Sequence, residues 1–267
     1  MPPSRPAGGT WPVALLSGLG RRVLGALGEM GGIALFFARS VTALFRPPYR
    51  WRNFLRQMEF IGARSTTVVL LTGLFTGMVL ALQGYYGFRK FGGESLLGAT
   101  VALSMTRELG PVLTALMVTA RAGSAMAAEI GTMRVTEQID ALAAMAVDPF
   151  HYLVVPRVWA AFLMLPLLTG ISNAIGIVGG HLVGVELLGI DPGIYVKRME
   201  ETVVLGDITN GLYKSAVFGI LLALIGCYKG YHAEKGARGV GRATTGAVVL
   251  SSISILVGDY ILTSLLF

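Results

Sequence analysis

Residues 119–142 read TARAGSAMAAEIGTMRVTEQIDAL. Apolar stretches suited to a bilayer flank them, yet this piece carries Arg121, Glu129, Arg134, Glu137 and Asp140. Within it and just beyond, Val135, Ile139, Leu142 and Met145/Ala146 recur at helical spacing, while Arg134, Glu137, Gln138 and Asp140 fall largely elsewhere around the helix. The pattern predicts an amphipathic helix that stops before Asp148-Pro149, because the residue preceding a proline is pushed out of the α region. Such a helix either lies on lipid or sits in a groove on a partner protein. Lipid-surface helices are rich in Lys and Arg, whereas the segment from Glu137 to Asp148 is net acidic. A protein groove is the favoured reading.

The surroundings explain why a charged piece stands out. The chain has 267 residues, 54% of them hydrophobic and 14% charged, with a mean hydropathy of +0.67. Soluble domains carry about a quarter charged residues, so lipid must be the solvent for much of this surface. The one cysteine, Cys227, excludes an intramolecular disulfide and a thiolate pair for a metal. His151, His181 and His232 are scattered without ligand spacing. No metal site and no catalytic residue is expected. Many of the 36 glycines suit close helix contact in a membrane.

Five stretches reach the roughly 20 apolar residues needed to cross the hydrocarbon. They are expected at about 65–86, 96–125, 158–185, 212–230 and 244–267. Gly73 and Gly77 in the first, and Gly176, Gly180 and Gly184 in the third, mark places where a neighbouring backbone approaches closely. A sixth run, 23–38, is short, holds Glu29 and has arginines at both ends, so it is read as lying in the membrane interface. It begins too late for a cleaved signal peptide. The expected fold is therefore an all-α integral membrane protein, with an N-terminal segment (1–57) carrying an interfacial helix and a transmembrane domain (58–267) of five helices.

Charge asymmetry orients the spans. Arg21, Arg22, Arg39, Arg46, Arg50, Arg52, Arg56 and Arg64 crowd the first quarter and are drawn to anionic head groups on the cytoplasmic side. The interleaved aliphatic residues and the absence of a recognition motif argue against nucleic acid. Lys235, Arg238 and Arg242 fall on the same side, while the acidic 186–210 connection falls outside. With five spans the N-terminus is cytoplasmic, the C-terminus lies outside, and residues 126–157 are cytosolic. The first 20 residues, rich in Pro and Gly, are expected to start flexibly.

Four ionisable residues fall within or beside spans, where charge is costly and marks function by default: Arg107, Glu108, Lys214 and Asp259. At about 1.5 Å per residue they share the middle-to-outer part of the membrane, where Glu108 or Asp259 could neutralise Lys214 or Arg107. They serve either as helix-pinning ion pairs or as the border of a substrate path that rearranges during transport. On the second reading, Glu108→Ala or Lys214→Ala lowers transport while assembly survives. Gly110-Pro111 next to them predicts a kink.

Residues 107–160, RELGPVLTALMVTARAGSAMAAEIGTMRVTEQIDALAAMAVDPFHYLVVPRVWA, closely resemble the MlaE (YrbE) family of ABC-transporter permeases. The likeness continues through LPLLTGISNAIGIVGGHLVGV and KSAVFGI to GRATTGAVVLSSISILVGDYILTSLLF, covering nearly everything after about residue 55. The resemblance implies a phospholipid permease of the bacterial inner membrane. It implies a homodimer with two MlaF-like ATPase subunits, an MlaD-like hexamer of MCE domains outside, and an MlaB-like STAS protein on the ATPase. It makes the charged helix a coupling helix entering the ATPase, centred on Glu129, Arg134, Glu137, Gln138 and Asp140. It places the lipid path between protomers, lined by spans one, two and five; Leu74, Met78, Leu82 and Tyr85, on one face of span one, are the candidate acyl-chain contacts.

The chain itself has no G-x-x-x-x-G-K-[ST] phosphate loop. Lys214-Ser215 and GARGVGRATTG are poor imitations, so ATP and Mg are expected in the partner and no cofactor here. Nor is there an H-E-x-x-H or G-x-S-x-G signature for an intramembrane enzyme. A secondary transporter or channel using the four charges is the alternative, although five spans divide badly into inverted repeats.

Overall fold

The computed structural model describes residues 11–44 and 51–266, and every regular element in them is helical. Residues 1–10, Arg46 and Arg50 lie outside the described residues, as do the side chains of Arg21, Arg22 and Glu29.

The N-terminal run forms a longer helix than expected, α1 (Trp11–Leu44). Its apolar part, Met30–Ala43, is shorter than a span. One side of that part is buried through Phe36, Ser40 and Ala43. Phe36 meets the rings of Phe150, Tyr228 and Tyr231 at 4.8–5.9 Å. α1 thereby docks on the end of the molecule where residues 126–157 lie.

Next comes α2 (Trp51–Ile61), which turns through a short 3₁₀ segment into α3 (Thr66–Arg89). The boundary placed at 57/58 falls inside α2, whose Phe54, Met58 and Ile61 already belong to the core while Arg52 and Arg56 face out. Four further helices of spanning length follow: α4 (Glu94–Val135), α6 (Phe150–Leu187), α8 (Leu205–Tyr231) and α9 (Ala237–Leu266). Two short helices connect them, α5 (Gln138–Ala144) at one end and α7 (Pro192–Thr202) at the other. The helices overrun the expected spans, most of all α4, because polar residues at a membrane surface extend a helix that hydropathy alone truncates.

Glycine sets the tightest contacts. A Cβ on Gly77 would run into the backbone oxygen of Gly176, and one on Gly73 would lie 2.7 Å from the Ser172 oxygen, so α3 and α6 touch backbone to backbone. Gly98, Gly180 and Gly184 instead leave a notch filled by Tyr195 of α7, whose ring is 1% exposed. The ladder predicted in span three is thus shared between a neighbouring helix and a latch at the α7 end. α8 is central, with Phe218, Leu222 and Ala223 buried against α4 and α6. α9 is the least buried span and leaves Val249, Ile253, Leu256 and Tyr260 exposed along its length.

Candidate functional site

The intramembrane charges converge. Lys214 of α8 is 0% exposed, and its Nζ lies 2.6 Å from Glu108 Oε2 and 2.7 Å from Asp259 Oδ1. It also donates to Thr263 Oγ1 at 2.8 Å and to the Arg107 carbonyl at 3.0 Å. That last bond follows from sequence: Pro111 has no N–H to offer the carbonyl four residues back. The chain does not break there. α4 widens into a π-turn over Met105–Leu109 and carries on, the kind of helix defect frequent at functional sites. Lys214 therefore ties α4, α8 and α9 together with one ammonium.

Arg107 takes a different partner from those expected. Its Nη2 lies 2.6 Å from Asp207 Oδ1, and its Nε donates to the same oxygen at 2.7 Å. Asp207 had been read as part of the acidic outer connection; it is instead 2% exposed in the first turn of α8, where it also accepts from the Val204 N–H. The signal was the spacing. Asp207 and Lys214 are seven residues apart, two turns on one helix face, which separates the ion pairs by roughly 10 Å. The exposed members are Arg107 (38%) and Glu108 (37%), with Asp259 at 21%; Lys214 and Asp207 stand behind them.

At the opposite end the charged interruption is not one helix. α4 continues to Val135, the chain turns at Glu137 with φ +60°, and α5 begins afresh. Ala146, φ +58°, ends the excursion. Left-handed conformations cost L-residues roughly 1–2 kcal/mol each, so this elbow is strained on both sides. Val135 consequently lies on a different helix from Ile139 and Leu142, and Met145 is exposed rather than on the packed face. Of the expected stripe, Ile139 is buried and Leu142 packs beside it. Arg134 Nη1 clasps Asp140 Oδ1 at 2.7 Å across the bend, and its guanidinium lies 6.0 Å from the Tyr231 ring. Glu137, Gln138 and Asp140 are exposed. Asp148 closes the loop by accepting the Phe150 N–H at 3.0 Å.

Glu129 sits earlier, within α4, and pairs at 2.7 Å with Arg157 of α6, a buried side chain that also donates to the Leu153 carbonyl. Arg157 was missed; an arginine in the apolar opening of span three was the available signal. Arg121, noted without a role, donates to the Phe60 carbonyl and to Ser65 Oγ, joining α4 to the α2–α3 turn. The four candidate lipid contacts divide. Leu74 and Met78 pack over Gly179 of α6, and Tyr85 joins the cluster around Tyr195; Leu82 is open. The fully open face of α3 is Leu71, Phe75, Val79 and Tyr86.

A bundle of five long apolar helices, with an ion cluster towards one end and a strained polar elbow at the other, defines a multi-span membrane protein. The family described as permease MlaE matches residues 54–265, and the chain belongs to that family. It is 47% identical over 253 residues to a probable ABC transporter permease protein of Rickettsia conorii, covering 95% of this chain and 98% of that one. It is 42% identical over 261 residues to the intermembrane phospholipid transport system permease protein MlaE of Haemophilus influenzae, covering 96% and 98%. A chloroplastic protein of Arabidopsis thaliana, trigalactosyldiacylglycerol 1, is 37% identical over 235 residues, covering 88% of this chain and 67% of that protein.

Proposed function

We propose that the chain is the permease subunit of an ABC transporter that moves phospholipid between the inner and outer membranes of a bacterium. The observation that carries this reading is the elbow. A seven-residue helix, with Ile139 buried against the ends of the spans and Gln138 and Asp140 exposed, is held between two strained turns. That is a docking element for a partner, and membership of the permease family together with the relatives' names supports an ATPase as the partner. ATP and Mg belong to that subunit. The full assembly is a homodimer with two MlaF-like ATPases, an MlaD-like MCE hexamer and an MlaB-like STAS protein, in the inner membrane with the elbow cytoplasmic and the C-terminus periplasmic. The open stripe of α9 is the face offered to the second copy.

Motion enters at the elbow and travels along α4. Roughly 40 Å of helix separates Arg134 from Glu108, and the π-turns at Met105–Leu109 and Thr119–Gly123 give that rod two places to flex. Tilting it moves Glu108 against Lys214 and Asp259, and opens or closes the path that Arg107 and Glu108 border. Arg107 is placed to meet a lipid phosphate; fully buried Lys214 is not. The ion-relay alternative has no support beyond the charges themselves. The test is transfer of labelled phospholipid between donor and acceptor vesicles, one set carrying the permease with its co-purified ATPase. ATP-dependent transfer supports the reading; ATP-independent transfer, or no ATPase in the purified complex, refutes it.

A further inference from the structure

The elbow hangs between two legs, the end of α4 before it and the start of α6 after it. An ion pair joins the legs directly: Arg157 Nη2 of α6 donates to Glu129 Oε2 of α4 at 2.7 Å. We propose that this pair clamps α4 to α6 at the root of the elbow, with Arg157 as a positioning residue that makes both helices answer to a push on α5, a role that rests on the elbow being the docking element for the ATPase.

Three features set the pair apart. First is its place. Glu129 lies six residues before the end of α4 and Arg157 seven residues after the start of α6, so each sits roughly 10 Å inside its helix. The guanidinium thus closes a loop whose ends are 28 positions apart. Second, the legs have few other ties. The stretch Ser124–Val135 of α4 packs chiefly on α8 and α9; towards α6 it offers Ile130, which shares an apolar cluster with Leu153 and Val154. Apolar side chains slide past one another, whereas a charged hydrogen bond fixes distance and direction.

Third, the pair is asymmetric. The Arg157 side chain is 4% exposed and that of Glu129 53%. The glutamate can turn to water; the arginine cannot. Without Glu129 it retains, among the described residues, the Leu153 carbonyl, 2.6 Å from Nη1. Parting the legs strands a buried guanidinium, so the clamp recloses. Leu153 belongs to the π-turn Phe150–Val154 that opens α6, so the same side chain also holds the elbow's return leg in shape. An elbow whose legs spread absorbs a push on α5. Fastened legs pass it along α4 to Glu108 and through α6 to α3, which α6 touches backbone to backbone at Gly77.

The test is a double-mutant cycle of Glu129→Gln, Arg157→Met and the two together, each of which keeps its side chain's approximate size. In the isolated full-length chain in detergent, hydrogen–deuterium exchange needs neither ATP nor a partner. Glu129→Gln should speed exchange over residues 150–157 about tenfold, the factor by which a charged hydrogen bond holds such a local opening shut. In the reconstituted transporter, lipid moved per ATP hydrolysed should fall in both single variants, and the double variant should do no worse than either, because each removes the same contact. Unchanged exchange in Glu129→Gln overturns the clamp. A parental lipid-to-ATP ratio in both single variants overturns its role in coupling, and so does a double variant whose loss is the product of the two, since Glu129 would then act without Arg157. A parent transporter that moves no lipid with ATP refutes the function proposed above, while the exchange measurement still decides the clamp.

Discussion

Replacing Lys214 by methionine is the sharpest perturbation the structure offers. The side chain keeps its length but loses the one ammonium between Glu108 and Asp259, along with bonds to Thr263 and the Arg107 carbonyl. Removing one member of a buried ion pair costs about 3–5 kcal/mol, because the abandoned charge has no water to return to. Here the two carboxylates are 37% and 21% exposed, so they recover part of their hydration and the lower end applies, about 3 kcal/mol. For a chain of this size each kcal/mol moves the midpoint by about 2–4 °C, so Lys214→Met should unfold roughly 6–12 °C earlier in a detergent thermal melt. The account also requires non-additivity. Adding Glu108→Gln and Asp259→Asn removes the stranded charges, and the triple variant should melt above the single one. A single variant as stable as the parent, or a triple variant less stable than the single, would refute the idea that Lys214 ties three helices through charge. Glu108→Gln, which leaves Lys214 in place, is the gentler probe of transport.

Tyr195 fills the notch left by Gly98, Gly180 and Gly184 without a hydrogen-bond partner for its hydroxyl among the described residues, so Tyr195→Phe should be near neutral in a thermal melt, whereas Tyr195→Ala should lose about 3–5 kcal/mol. Burial pushes its phenol up to about 12, so the neutral form is favoured in the folded state. Stability from this residue is complete below pH 10, fades between about 10 and 12, and the alkaline loss should be smaller in Tyr195→Phe. Gly77→Val forces a side chain into the Gly176 backbone and should yield little folded protein by size-exclusion chromatography, while Gly87→Ala, where a Cβ meets nothing, should be tolerated. Ala146→Gly relieves a left-handed alanine and should raise the melting free energy by about 1 kcal/mol.

The spans were legible because about 20 consecutive apolar residues have few alternatives to crossing lipid. The ion cluster was half legible. Depth along a helix placed Glu108, Asp259 and Lys214 at compatible levels, but partner choice depends on which faces meet. Asp207 therefore looked like loop acidity until α8 began two turns before Lys214. The elbow was least legible. Val135, Ile139 and Leu142 keep helical spacing across a bend, because the left-handed turn at Glu137 leaves no trace in hydropathy, and Glu is not a residue that announces it. Arg157 escaped for a related reason: its partner Glu129 lies 28 positions away on another helix.

The central claim is that another subunit's ATP cycle moves this bundle through α5. Asp140→Ala breaks the Arg134 clasp, an exposed pair worth at most about 1 kcal/mol, so the fold should survive. The direct measurement is ATP-driven lipid transfer by reconstituted transporter carrying Glu137→Ala and Asp140→Ala together, with ATP hydrolysis and complex assembly followed in parallel. Transfer should fall sharply while the permease remains folded and the ATPase keeps hydrolysing ATP. Transfer at the unmodified rate would contradict the account.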